Sequence, residues 1–167
     1  WDDGDSNMNE AAHLPAETTW FARLLTHMAW ADQGLLDAVE AHPSQAAVRL
    51  LGHVVVAERI WLGRIRGEDL PLTPWEPRDL PAIRGLVQET RDGFASFVAG
   101  LDPARLTESV RYRNSRGEEQ ILALGDILLH AALHGAHHRG QICTLLAREG
   151  KAPALDHFLF AMGNPLS

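Results

Sequence analysis

The chain has 167 residues, a length that suits one domain with one sizeable core, and 46% of them are hydrophobic. Fifteen basic against 22 acidic residues give a net charge of −7, so the electrostatic footprint of a nucleic-acid binder is missing. The single cysteine, Cys143, excludes an internal disulfide and a cysteine-rich zinc knuckle and suits a reducing cytoplasm, and no apolar run reaches the length of a membrane span.

Residues 1–12 are acidic and aperiodic, and they read as a disordered leader or expression remnant, with Met8 a candidate natural start. No basic start precedes an apolar stretch, so no signal peptide is expected. Residues 13–167 read as a single helical domain. The first helix is expected from Ala16 to about Ala41, where Trp20, Leu24, Leu25, Met28, Leu35, Leu36 and Val39 recur at helical spacing. Pro15 falls in its first turn, where a missing N–H does no harm. Pro43 and Ser44 separate it from a second helix over Ser44 to Arg66, which Gly67 ends.

Residues 68–80 are proline-rich and aperiodic, which predicts a loop. Asp79 and Pro81 start a third helix that runs to about Val98 and stops at Gly100. Between 101 and 120 the pattern changes. Val110-Arg111-Tyr112-Arg113 alternates, and Asn114-Ser115-Arg116-Gly117 is turn-forming, so a short two-stranded hairpin is expected. A fourth helix is predicted from about Ile121 to Glu149, ending at Gly150, and a short one from Leu155 to Met162. The fold class is therefore all-α: a four-helix bundle with a short hairpin between helices three and four and a short C-terminal helix.

Function concentrates in His130-Ala131-Ala132-Leu133-His134-Gly135-Ala136-His137-His138-Arg139-Gly140-Gln141, which carries four of the nine histidines within nine residues. Neutral histidine is the commonest metal ligand. Each helical residue turns by about 100°, so His134 and His138, four apart, share a face. His130 and His138 lie about 12 Å apart along the axis, too far for three successive turns to serve one ion. A third ligand must come from another helix. His53, set among Leu50, Leu51, Val54, Val55 and Val56, is the best candidate, provided that helices two and four face each other. Three imidazoles with an open position are the arrangement of a catalytic site. The pattern alone also allows a core role for each histidine, hydrogen-bonded to a neighbour.

The helix-four segment resembles the signature of the DinB/YfiT-like family, which ends in histidine–arginine–glycine–glutamine with another histidine four residues before the first. Trp30-Ala31-Asp32 is similar to the family's tryptophan–alanine–asparagine, and Gly52-His53 with Glu58 and Trp61 to its helix-two segment. The likeness runs from about Trp20 to Phe160. It implies a four-helix bundle, often a homodimer, with zinc or nickel held by His53, His134 and His138. It also implies a thiol-dependent transferase or isomerase that joins bacillithiol, mycothiol or glutathione to a small electrophile. Asp32 in place of asparagine and Leu133 in place of a polar residue depart from the family pattern.

A divalent ion so held supports two chemistries: it lowers the pKa of bound water toward about 7, or it turns a bound thiol into a thiolate nucleophile. A transferase, a hydrolase and a non-catalytic stress-linked metal-binding bundle are the alternatives. A zinc protease and a di-iron protein are disfavoured, because the chain has no His-Glu-x-x-His and its one Glu-x-x-His falls at Glu10 to His13. Ligating imidazoles give their second N–H to an acceptor, and Glu58, Asp126, Gln141 and Asp156 are the candidates. His27 and His130 are candidate pocket residues, whereas His137 points elsewhere and His13, His42 and His157 carry no signal. Arg139 is expected to pair with a carboxylate across the bundle, Glu58 among others. Gly140 is expected to mark a close approach, and Cys143 a small buried hydrophobe.

Overall fold

A computed structural model describes residues 16–148 and 150–153. Four helices form the body: α1 (Ala16–Ala41), α2 (Gln45–Arg66), α3 (Leu80–Ala99) and α4 (Leu124–Ala147). A 3-10 turn over Pro103–Thr107 and an antiparallel hairpin, β1 (Ser109–Arg113) and β2 (Glu119–Ala123), join α3 to α4. The predicted leader, Glu149 and the predicted helix at Leu155–Met162 lie outside the described residues.

Local chemistry sets most of these boundaries. The Ser44 hydroxyl accepts from the Ala47 amide at 3.2 Å, and the Asp79 carboxylate accepts from the Ala82 amide at 2.9 Å, so both helices start on a side-chain cap. Gly67 takes the left-handed φ of 71° that closes α2. In the hairpin turn Gly117 has a φ of 77°, while the Asn114 side-chain oxygen accepts from the amides of Arg116 and Glu118.

One boundary differs from the periodicity. Ile121, Leu122 and Ala123 continue the apolar run of α4, yet they are strand residues paired with Arg111, Val110 and Ser109. The helix therefore begins at Leu124. Cross-strand hydrogen bonding to a partner ten or more residues away outweighs local helical pattern there.

Each of α1 and α2 packs against both α3 and α4, which places α2 beside α4 as the histidine argument requires. Two apolar clusters fill the bundle. Leu25, Met28, Leu62, Phe94, Ile127 and Leu128 form one; Leu35, Leu51, Val54, Ile83, Val87 and Ile142 form the other. Among the described residues no helix is long and apolar enough to cross a membrane. Leu51 is fully buried. Leu51→Ala is expected to lower unfolding stability by about 2–5 kcal/mol in chemical denaturation, through lost burial and the cavity left behind.

Candidate metal centre

His53 stands midway along α2, and His134 and His138 stand one turn apart on α4. Their rings converge where the two helices meet. Ring centroids are 5.3 Å apart for His53 and His134, and 4.6 Å for both His53–His138 and His134–His138. One ring nitrogen from each lies within 4.8 Å of the other two, so the trio could hold a metal ion. Nitrogens at 2.0–2.1 Å from a tetrahedral ion stand roughly 3.4 Å apart, a spacing within side-chain adjustment of this one.

The hydrogen bonds orient the rings for that task. Protonated at Nδ1, His138 donates to Gln141 Oε1 at 2.8 Å, and His53 donates to the Pro74 carbonyl at 3.3 Å. Each then keeps Nε2 as its lone-pair nitrogen, the outer-sphere pattern of ligating imidazoles. Trp75 stacks on His53 at 3.6 Å and 8° and holds its plane. His134 Nδ1 is buried without a hydrogen-bond partner among the described residues, the kind of orphaned polar atom that an external ligand would relieve. Burial, then the neighbouring His138, His53, His130 and His137, pushes His134 down to about 4. Burial and His138 also lower His53, against the opposing bond to Pro74. Both rings are thereby neutral at pH 7 and able to donate a lone pair.

Behind the histidines lies a buried ion cluster. Arg139 Nη1 donates to Asp32 on α1 at 2.8 Å and to Glu58 on α2 at 3.1 Å, and all three residues are buried. A β-carbon at Gly135 would fall 2.4 Å from Glu58 Oε1 and 2.6 Å from Arg139 Nη1, so that glycine makes room for the cluster. Burial first, then Asp32, pushes the Glu58 carboxyl well above the usual carboxylate range, more than Arg139 pulls it back. Glu58 therefore holds its proton more tightly than a free carboxyl.

Several expected roles change. Glu58 serves Arg139 and no histidine. Asp126 is an exposed residue in the first turn of α4, while Asp156 and His157 lie outside the described residues. Gln141 alone of the proposed acceptors bonds one of the three histidines, His138. Gly140 faces open space, and the close approach is at Gly135. His27 lies on α1 against Trp30 and does not line the cleft. His130 does line it, edge-on to Trp61 at 4.9 Å. His137 is exposed, and Cys143 is half-buried against the second apolar cluster. Pro74 and Trp75 were not expected at the site; a tryptophan in a proline-rich loop was the only signal.

The cleft beside the histidines measures about 610 Å³ and is walled by His53, His134, His130, Trp61, Arg64 and Tyr112, the last from β1. That volume lies in the range of small-molecule sites.

Arg139→Met strands Asp32 in the core without its cation, and is expected to cost about 3–5 kcal/mol in denaturant unfolding. Arg139→Lys should not restore it, since one ammonium does not reproduce the fork. Glu58 has a folded pKa above its unfolded one, so its contribution is full below about pH 4.5 and is lost as pH rises through the folded value. The wild-type urea midpoint should therefore fall with rising pH relative to Glu58→Gln, which has no proton to lose.

The sequence profile of the DinB superfamily matches residues 15–142. No curated protein and no solved structure matches the chain at significance. The matched span takes in α1, α2, α3, the hairpin and α4 as far as Ile142, and with them His53, His134, His138 and the Asp32–Glu58–Arg139 cluster. The chain belongs to the DinB superfamily.

Proposed function

We propose that this chain is a metal-dependent enzyme in which His53, His134 and His138 hold a divalent ion, zinc or nickel. Its reaction is the transfer of a low-molecular-weight thiol, of the bacillithiol, mycothiol or glutathione type, to a small electrophile. The observation that carries the reading is the convergence of three imidazoles, two of which, His53 and His134, have lowered pKa and line a cleft of about 610 Å³. Bound there, a divalent cation supplies Lewis acidity, which favours the ionised form of a thiol or of water.

The chain's own residues supply the rest. Gln141 and the Pro74 carbonyl hold the two outer rings, so the lone pairs stay aimed inward. Trp75 covers His53 on its loop side and limits water there. His130, on the cleft wall beside Trp61, is placed to accept the proton that a thiol gives up. Cys143 takes no part, because it lines the apolar cluster on the other side of α4. The homodimer belongs to the same reading, and the exposed Trp20, Leu129 and Leu133 on α1 and α4 offer an apolar face for it.

Elemental analysis of untagged protein should give about one divalent ion per chain. His53→Ala and His134→Ala should each lower that occupancy at least tenfold at equal free metal. The wild type should conjugate 1-chloro-2,4-dinitrobenzene only when one of the three thiols is supplied. Ester turnover without thiol, lost in His134→Ala, would assign a hydrolase instead. Metal occupancy with neither activity would leave a binding bundle.

A further inference from the structure

Among the described residues two guanidiniums on the cleft wall have no carboxylate partner, Arg64 and Arg113, and of these Arg64 is the half-buried one. Its guanidinium carbon lies 4.4 Å from the ring centroid of Trp61 and 4.4 Å from that of Tyr112. Those two rings meet nearly edge to face, at 77°, and form a corner that holds the guanidinium. Its one hydrogen bond among the described residues is a long one, from Nη2 to the Arg113 carbonyl at 3.4 Å. A guanidinium has five N–H donors, so most of this fork is unspent.

Of the neighbouring charges, Arg111 pairs with Glu119 and Glu68 with Arg59 and Arg66. Arg113 donates to the Gly117 carbonyl and is exposed, so water solvates its charge. Asp69, also on the wall, is exposed. A half-buried guanidinium is disfavoured by desolvation, and burial does push Arg64 down. Water alone is a poor partner for such a group, whereas a planar anion matches its fork. Glu68 and Asp69 on the same wall oppose a dianionic phosphate and suit a single negative charge.

We infer that Arg64, held in the corner of Trp61 and Tyr112, binds a carboxylate group of the substrate, at the end of the cleft away from the three histidines. His53 and Arg64 are on one face of α2, eleven residues and about 16 Å apart along the axis. The arginine side chain leans back toward the helix start and shortens that gap. The substrate class is thus an elongated monocarboxylate whose reacting atom is several bonds from its carboxylate. Its orientation rests on the histidine cluster being the reacting end; the anion site itself does not.

The probe is hexanoate, with hexanamide as its uncharged counterpart, titrated by NMR into chelator-treated protein and into metal-loaded protein. Hexanoate should bind both forms, and hexanamide should bind at least fivefold more weakly. Arg64→Gln should weaken hexanoate at least fivefold while keeping the wild-type metal content, and Arg84→Gln, which breaks a surface pair with Glu40 outside the cleft, should change nothing. Arg64→Lys retains the charge and the packing stem, so it covers the case in which Arg64→Gln does not fold; it should still lose at least threefold, because the fork is gone. Wild-type affinity in both Arg64 variants, equal binding of hexanamide, or tighter binding of inorganic phosphate than of hexanoate would overturn the inference. Any of those results with full metal occupancy would leave the metal reading standing. Loss of metal in His134→Ala with hexanoate affinity intact would separate the two sites the other way.

Discussion

The contact on which the site depends is the bond set of one guanidinium. Arg139 reaches from α4 to Asp32 on α1 and to Glu58 on α2. Apolar packing alone lets neighbouring helices slide, because dispersion contacts are numerous and non-directional. A buried guanidinium does not tolerate sliding, since every lost hydrogen bond strands a charge in low dielectric. The cluster therefore fixes the height of α2 against α4. The same height decides whether His53 meets the His134–His138 pair or misses it by a turn.

The two polar clusters divide the labour by hydration. Arg139, Asp32 and Glu58 are each no more than 4% exposed, and the one guanidinium bonds both carboxyls. Of the histidines, His53 and His134 border a cleft, and burial and neighbouring imidazoles lower both of them. The dry cluster fixes the helices, and the wet one leaves imidazoles open to solvent. The rings' outer hydrogen bonds come from a side chain within α4 and from a loop carbonyl, so their tuning is separate from the bundle's stability.

Much of this was legible in the sequence for identifiable reasons. Ser44, Asp79, Gly67 and Gly100 act on the backbone beside them, so helix ends appear in local chemistry. The i,i+4 histidine pair reports its shared face through helix geometry alone. The start of α4 was hidden because Ile121 and Leu122 have the right polarity for either element, and only pairing with β1 decides. The Pro74 acceptor was hidden because a backbone carbonyl has no sequence signature. Glu58 was recognised as a partner for Arg139, but its second candidacy, as an imidazole acceptor, fails because no ring nitrogen bonds it: Arg139 takes Oε1, and Oε2 has no partner among the described residues. The misplaced glycine is a matter of phase: Gly140 lies on the outward face and Gly135 on the inward one, 140° apart around the helix at about 100° per residue.

That phase explains why the motif is contiguous. His134 and His138 form one i,i+4 row on α4; Gly135 and Arg139 form the next row, about 100° around. The first row is half-buried, with His134 on the cleft, and the second faces the core, so two turns of one helix contribute to both clusters. Side chains on a helix lean toward its start, which carries the Arg139 guanidinium back over position 135. Any β-carbon there would meet Arg139 Nη1 at 2.6 Å and Glu58 Oε1 at 2.4 Å. A flexible surface side chain would yield to such a contact, but these two are buried and held by each other. Glycine at 135 is thus tied to the arginine four residues on, and through it to the spacing of the histidines. The histidine row and the anchoring row share a helix, so neither can shift in register without carrying the other.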